Sequence, residues 1–391
     1  MRKLATAAAL AAILALPAAH AAGKSQPVLG IDGRESAGRL AWFDPASLSV
    51  LLGRRVPLAG HTGSWTFSAD RSVLAIAARG YPGIRFVNAR GMRLLGTLVL
   101  PHDSEAYIAG LAWARPDRLL VAVSTGQGGF VALIDPQRRR EIRRMDIGSV
   151  RAATAVPGGV ALLLGPATGL GSAQLALVDA DGAVRRATID RIQIGTAPSQ
   201  TENDVRIDVR EPGFAVDRAG RRAYIVGGDF TVAAIDLDSL EVAYHSPSTR
   251  TLAKNVTGQS RQAAWLGNGT LAVSGVDYMG NEDGVPVGLR LVDTRDWSFR
   301  TVDPSVGSFE LGDGALVAGS KIFGLDGTLR YRVELGTGQR LSVQGPYGYV
   351  CGSAKGQLRR VLQLGTGATI RRVTSASAPN CPTLLYGQSS S

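Results

Sequence analysis

The sequence predicts an all-β fold, a single β-propeller of eight four-stranded antiparallel blades, or seven if the short unit at 306–335 is not a full blade. Three observations carry that expectation. A short apolar-Asp-turn segment recurs along the chain. Each repeat divides into four short strands. No amphipathic helical pattern of useful length occurs anywhere.

The recurring segment is two or three apolar residues, then Asp or an equivalent, then a tight turn. Its instances are Trp42-Phe43-Asp44-Pro45, Phe86-Val87-Asn88, Leu133-Ile134-Asp135-Pro136, Leu177-Val178-Asp179, Ala234-Ile235-Asp236, Leu291-Val292-Asp293, Gly324-Leu325-Asp326 and the degenerate Gln363-Leu364-Gly365. Successive spacings are 44, 47, 44, 57, 57, 33 and 39 residues, and a four-stranded propeller blade repeats at about 40–50. The Asp has a local role: at the head of a turn its carboxylate accepts backbone N–H groups two residues on. Pro45 and Pro136 then supply a φ already suited to a type I turn. These aspartates are read as structural.

One unit shows the strands. Gly213 to Asp217 is strand a, Arg222 to Val226 strand b, Phe230 to Asp236 strand c and Glu241 to His245 strand d. The b strands of other units, such as Leu74 to Ala78, Leu119 to Ser124 and Leu271 to Gly275, are apolar and end in a small residue. Small residues suit places where backbones approach closely. Phe67, Trp113, Val216 and Trp265 fall near the ends of a strands, and packing between blades is their expected role.

Residues 28–58 resemble strands b, c and d without an a strand, and Pro382 to Tyr386 is a lone apolar strand at the other end. The propeller is therefore expected to close by pairing of its N- and C-terminal strands, which removes an exposed edge. Cys351 and Cys381, the only cysteines, are expected to form a disulfide that staples the closing strand to the last blade.

Residues 1–21 read as a signal peptide: Arg2 and Lys3, an apolar run from Leu4 to Ala15, Pro17, and Ala19-His20-Ala21 as the cleavage signature. The run is too short and Ala-rich for a membrane span. The mature domain is then 22–391, expected to be a monomer without a transmembrane segment, secreted or periplasmic according to the cell envelope. The net charge of +11 becomes +9 when Arg2 and Lys3 leave. The densest basic run, Arg138-Arg139-Arg140-Glu141-Ile142-Arg143-Arg144, has no stacking aromatics, which argues against a nucleic-acid partner.

The apolar-Asp-turn segments give the chain a resemblance to the YVTN/WD40-like propeller superfamily over essentially all of the mature sequence. The resemblance is architectural. Gly60-His61 occurs once and Trp42 is separated from Asp44 by Phe43, so the paired WD40 signatures do not recur. The resemblance implies a rigid ring of blades and assigns no functional residue.

Loop length locates the expected functional face. Turns between strands a and b, and between c and d, are tight throughout. The long segments, 101–107, 190–212, 246–261 and 275–288, all fall after b or d strands, on the opposite face. Candidate ligand-binding residues there are His61, His102, Asp103 and Glu105, together with Asp277, Glu282 and Asp283. The last three sit in an oxygen-rich segment of the kind Ca²⁺ takes, though without calcium-loop spacing, so no metal ligand is assigned and no cofactor is expected. No nucleophile elbow or phosphate-binding glycine loop is present. The expected function is a secreted, non-catalytic binding or scaffold module that meets a protein or glycan partner through its long-loop face. The alternative is a lactonase-like hydrolase or lyase with a site at the axial funnel, in one version dependent on a divalent metal.

Overall fold

The structure is a computed structural model that describes residues 27–32, 38–51, 55–58, 61–79, 83–100, 106–126, 128–201, 204–246, 256–279, 284–352, 358–373 and 383–384. The expected signal peptide lies outside the described residues. The chain is all-β and begins with β1 (Val28–Asp32), β2 (Arg39–Phe43) and β3 (Val56–Pro57). Next come β4 (His61–Phe67), β5 (Val73–Arg79), β6 (Gly83–Asn88) and β7 (Arg93–Val99), then β8 (Tyr107–Arg115), β9 (Arg118–Thr125), β10 (Gly128–Asp135) and β11 (Arg140–Asp146). These two groups are antiparallel four-stranded sheets.

The middle of the chain holds β12 (Ser149–Val156), β13 (Gly159–Gly165), β14 (Gly169–Asp179), β15 (Val184–Thr201), β16 (Asp204–Glu211), β17 (Gly213–Asp217), β18 (Arg222–Val226), β19 (Val232–Asp236) and β20 (Val242–His245). It continues with β21 (Gly258–Gly267), β22 (Thr270–Tyr278), β23 (Val285–Pro286), β24 (Leu289–Asp293) and β25 (Phe299–Asp303). Two further four-stranded sheets follow: β26 (Glu310–Gly312), β27 (Ala315–Ala318), β28 (Lys321–Gly324) and β29 (Leu329–Arg332), then β30 (Gln339–Gln344), β31 (Tyr347–Gly352), β32 (Leu358–Gln363) and β33 (Thr369–Arg372). The unit at 306–335 is thus a full four-stranded sheet. The last strand, β34 (Thr383–Leu384), returns to pair antiparallel with β1 through Gly30↔Leu384 and Ile31↔Thr383.

Eight separate blades are not what the chain forms. Six separate four-stranded sheets stand beside one sheet of ten strands. The cause lies in 190–212, expected as a long loop. β15 runs on to Thr201 and β16 folds back along it, with Gly195 opposite Arg210. β16 then pairs in parallel with β21 through Val209↔Gly258 and Arg210↔Gln259. That pairing joins β12–β15 to β21–β25, while β17–β20 stay a sheet of their own. Ile192 and Ile194, on the extended part of β15, are buried at 1% and 2% exposure and hold it against the body.

Apolar clusters fill the spaces between neighbouring sheets. Ile76 and Val87 pack with Leu29 and Leu40; Phe86 and Ile84 pack with Leu119 and Phe130; Leu162 and Val178 pack with Leu120 and Leu133. Leu175 and Ile189 meet Ile225 and Ile235, and Tyr224 and Phe230 meet Leu271 and Val292. Leu289 and Leu291 meet Phe323, Val317 and Ile322 meet Val350 and Leu362, and Tyr349 and Val361 meet Val28 and Phe43. Each large apolar side chain buried this way stabilises the fold by about 1.5–3 kcal/mol. The expected packing aromatics take part. Trp113 lies against the Leu119 cluster and its Nε1 donates to the Thr66 carbonyl at 3.4 Å. Trp265 stacks on Tyr224 with ring centres 5.2 Å apart.

Candidate functional site

Most turn carboxylates are engaged in the backbone. Asp44 Oδ1 accepts the N–H groups of Ala46 and Ser47, Asp135 those of Gln137 and Arg138, and Asp236 those of Asp238 and Ser239. Asp293 accepts from the Arg295 guanidinium and backbone, which holds its carboxyl down at about 2. These groups make turns and are not placed for proton transfer, as their position in the repeat implies.

An open groove of about 610 Å³ lies where β21 and β22 face the β26–β29 sheet. It is walled by the start of β21, the end of β22, the segment 305–308 after β25 and the turn 318–321 between β27 and β28. In repeat terms these are ends of a and b strands and connections after b and d strands, the same face as the long loops. Side chains alternate along a strand, and β21 divides its polar residues accordingly. Ser260 and Gln262 line the groove, while Gln259 and Arg261 are buried on the other side, at 3% and 5% exposure.

The groove side is tied together by paired groups. Gln262 Nε2 donates to the Phe309 carbonyl at 2.7 Å and its Oε1 accepts the Phe309 N–H at 3.0 Å. Lys321 Nζ donates to Asp303 Oδ2 at 2.6 Å and to Ser305 Oγ at 2.9 Å. Burial raises the Asp303 carboxyl, but hydrogen bonds from Lys321 and Ser305 outweigh it and hold the group at about 2. The remaining polar lining is Ser260, Tyr278, Ser308 and Ser320, which are neutral donors and acceptors. Gly275 is needed in the wall because a Cβ there would stand 2.1 Å from the Ser260 carbonyl oxygen.

Behind the groove Arg261 is enclosed. Its Nη2 donates to Asp277 Oδ1 at 2.6 Å, its Nη1 to the carbonyls of Ser260 and Val276, and its Nε to the Gly228 carbonyl at 3.1 Å. The guanidinium also lies 5.0 Å from the Phe230 ring centre. Arg261 thus stitches the β18–β19 turn to the β21–β22 pair. Asp277, read from the sequence as a candidate ligand, is placed here, 1% exposed and hydrogen-bonded to Arg261.

The other candidates are not brought to the groove by any described contact. His61 heads β4, its backbone in register with Arg79, and its side chain is outside the described residues. His102, Asp103, Glu105, Glu282 and Asp283 also lie outside them, as does Cys381. Among the described residues no three His, Cys, Asp or Glu side chains group as a metal site would require. His245 stacks on Trp297 with ring centres 3.5 Å apart, and burial lowers its pKa. Sequence reasoning missed Arg261 and the serine-lined groove. The signal available was the unbroken polar run Gln259-Ser260-Arg261-Gln262 at the start of its strand.

No protein-family model matches the chain, and no curated protein matches it in sequence. Solved structures do match in fold. Dihydro-heme d1 dehydrogenase NirN in complex with DHE superposes with a TM-score of 0.61 at 12% identity, over 91% of this chain and 74% of that one. BamB from Moraxella catarrhalis gives a TM-score of 0.50 at 16% identity, over 80% of this chain and 88% of its own. Identities this low show the fold alone. The chain has a β-propeller architecture, without assignment to one family. No helix among the described residues is long and apolar enough to cross a membrane.

Proposed function

We propose that this protein is an exported, non-catalytic propeller that binds a protein or glycan partner through the face on which the groove opens. The observation that carries the reading is the state of the groove's charged pair. Lys321 is already engaged with Asp303, so the surface offered to a ligand is neutral hydroxyl, phenol and backbone. Such a lining suits recognition by hydrogen bonding better than acid–base chemistry, which needs a titratable group near neutral pH. In this reading the protein works as a monomer without resident metal or cofactor. The engagement of Asp277 with Arg261 supports that, since it takes up a carboxylate that a bound cation would use.

The same reading takes the ten-stranded sheet as two blades bridged by the β15–β16 hairpin, so that eight units form a ring closed by β34 on β1. Support comes from the apolar cluster joining the last sheet to the first and from the terminal pairing. It includes removal of residues 1–21 on export and a Cys351–Cys381 disulfide. Cys351 is 1% exposed and shares a cluster with Val28 of β1, the strand to which the terminus returns, and this supports the bond.

The test is calorimetric titration of the mature chain with soluble oligosaccharides and with peptidoglycan fragments. Ser308→Trp, which places a bulky ring on the exposed groove wall, is the paired variant. Saturable binding lost in Ser308→Trp supports the reading. Turnover of lactone substrates by the wild-type chain, abolished by a chelator, overturns it in favour of a metal-dependent hydrolase.

A further inference from the structure

Outer strands of a blade normally end the sheet in charge, which discourages edge-to-edge pairing. Here β29 and β33 carry charge and something besides. Arg330, Arg332, Arg371 and Arg372 are all exposed. Next to them in the strands, Leu329 and Ile370 are 43% and 44% exposed. Arg359 and Arg360 on β32 extend the surface. Against these six arginines the same region offers two carboxylates, Asp326 and Glu334.

The two sheets are joined next to these edges. Tyr331 Oη donates to the Leu364 carbonyl at 2.6 Å, across the boundary between the sheets. Arg360 Nη2 donates to the Glu334 carbonyl at 2.7 Å in the reverse direction. The combination also recurs elsewhere on the rim, where exposed Leu94 follows Arg93 on β7 and exposed Ile142 precedes Arg143 on β11.

Edge protection accounts for the arginines but not for large apolar side chains set beside them, which weaken that protection. A soluble polyanion would engage the charge and leave Leu329 and Ile370 in water. An anionic phospholipid surface engages both. Guanidinium groups pair bidentately with phosphate, and apolar side chains enter the headgroup–acyl boundary. We propose that the outer edge formed by β29 and β33 docks on an anionic phospholipid bilayer.

The experiment is co-sedimentation of the mature chain with phosphatidylcholine vesicles with and without phosphatidylglycerol. Binding is expected only with the anionic lipid and is expected to weaken with salt. The double change Arg371→Ser and Arg372→Ser should reduce affinity about thirty-fold, at roughly one electrostatic contribution per arginine. Arg330→Ser with Arg332→Ser gives an independent second variant, with circular-dichroism melts to verify folding. Ile370→Ser, which keeps the charge, should weaken binding as well. Unchanged vesicle binding in both arginine pairs overturns the proposal. So does binding to soluble polyphosphate as tight as to vesicles and indifferent to Ile370→Ser. The groove is no part of this surface, so Ser308→Trp tests the earlier reading and the arginine pairs test this one.

Discussion

The guanidinium of Arg261 and the carboxylate of Asp277 meet at 2.6 Å with their side chains 0% and 1% exposed. A pair this enclosed costs desolvation on both sides, and its worth lies in the hydrogen bonds that finish it. Arg261→Met takes the guanidinium away from a buried carboxylate and should cost about 3–5 kcal/mol. Combining it with Asp277→Leu should recover most of that loss, because the charge is then gone as well. Denaturant melts of the two single variants and the double variant check this, and strictly additive losses would contradict it.

Gly275 and Gly319 both line the groove, yet alanine should act differently at each. At Gly275 the new Cβ meets the Ser260 carbonyl oxygen at 2.1 Å, so the β21–β22 pair must shift. The expected loss is about 1–3 kcal/mol, together with altered groove binding. At Gly319 a Cβ meets nothing within 4 Å and only the φ of +58° resists it. That should cost about 1 kcal/mol and leave β21 undisturbed. Thermal melts of the two variants side by side decide the order.

The Asp303–Lys321 pair gives the acid limb of the stability profile a definite sign. The folded carboxyl sits at about 2, below the ordinary 3.8, with both side chains under a fifth exposed. Its contribution is therefore complete above the unfolded value and is lost as pH falls from about 4 toward 2. Discounted for solvent screening, the pair is worth about 1 kcal/mol. Lys321→Met should lower stability at pH 7 and flatten this limb. An acid limb parallel to that of the wild type would show that Asp303 is held down by something else.

If Cys351 and Cys381 are joined, reduction should lower the melting temperature, since closing a loop of this length contributes about 3–4 kcal/mol. Mass measurement of the alkylated, unreduced chain should show no thiol modified. Two modified thiols in the native chain would exclude the bond.

Much of the fold was legible because its rules are local. Gly213–Asp217 and Arg222–Val226 occur as expected strands, since alternation and flanking turn residues are properties of a few neighbouring side chains. Asp44 and Asp236 cap turns for the same reason. The pairing of β16 with β21 was not legible. Val209 and Gly258 are far apart in sequence, and nothing near either names the other as partner. The site shows the same division. Asp277 stood out as an oxygen ligand in a polar segment. Its actual partner depends on the register that sets Arg261 opposite Gly275 and Gln259 opposite Asp277, which no local pattern encodes. The groove draws on four separate segments and exists only once they are assembled.

Ile31 and Thr383 lie directly opposite each other. Ribosomes add about 5–20 residues per second, so the partner of Ile31 is made roughly 20–70 seconds later. The first sheet therefore waits, one strand short, until β34 has been made. Until Thr383 and Leu384 arrive, β1 is an unsatisfied template exposed to the solvent or to any binding factor that keeps nascent chains extended. A polypeptide built this way is withheld from its native state by the order of its own synthesis.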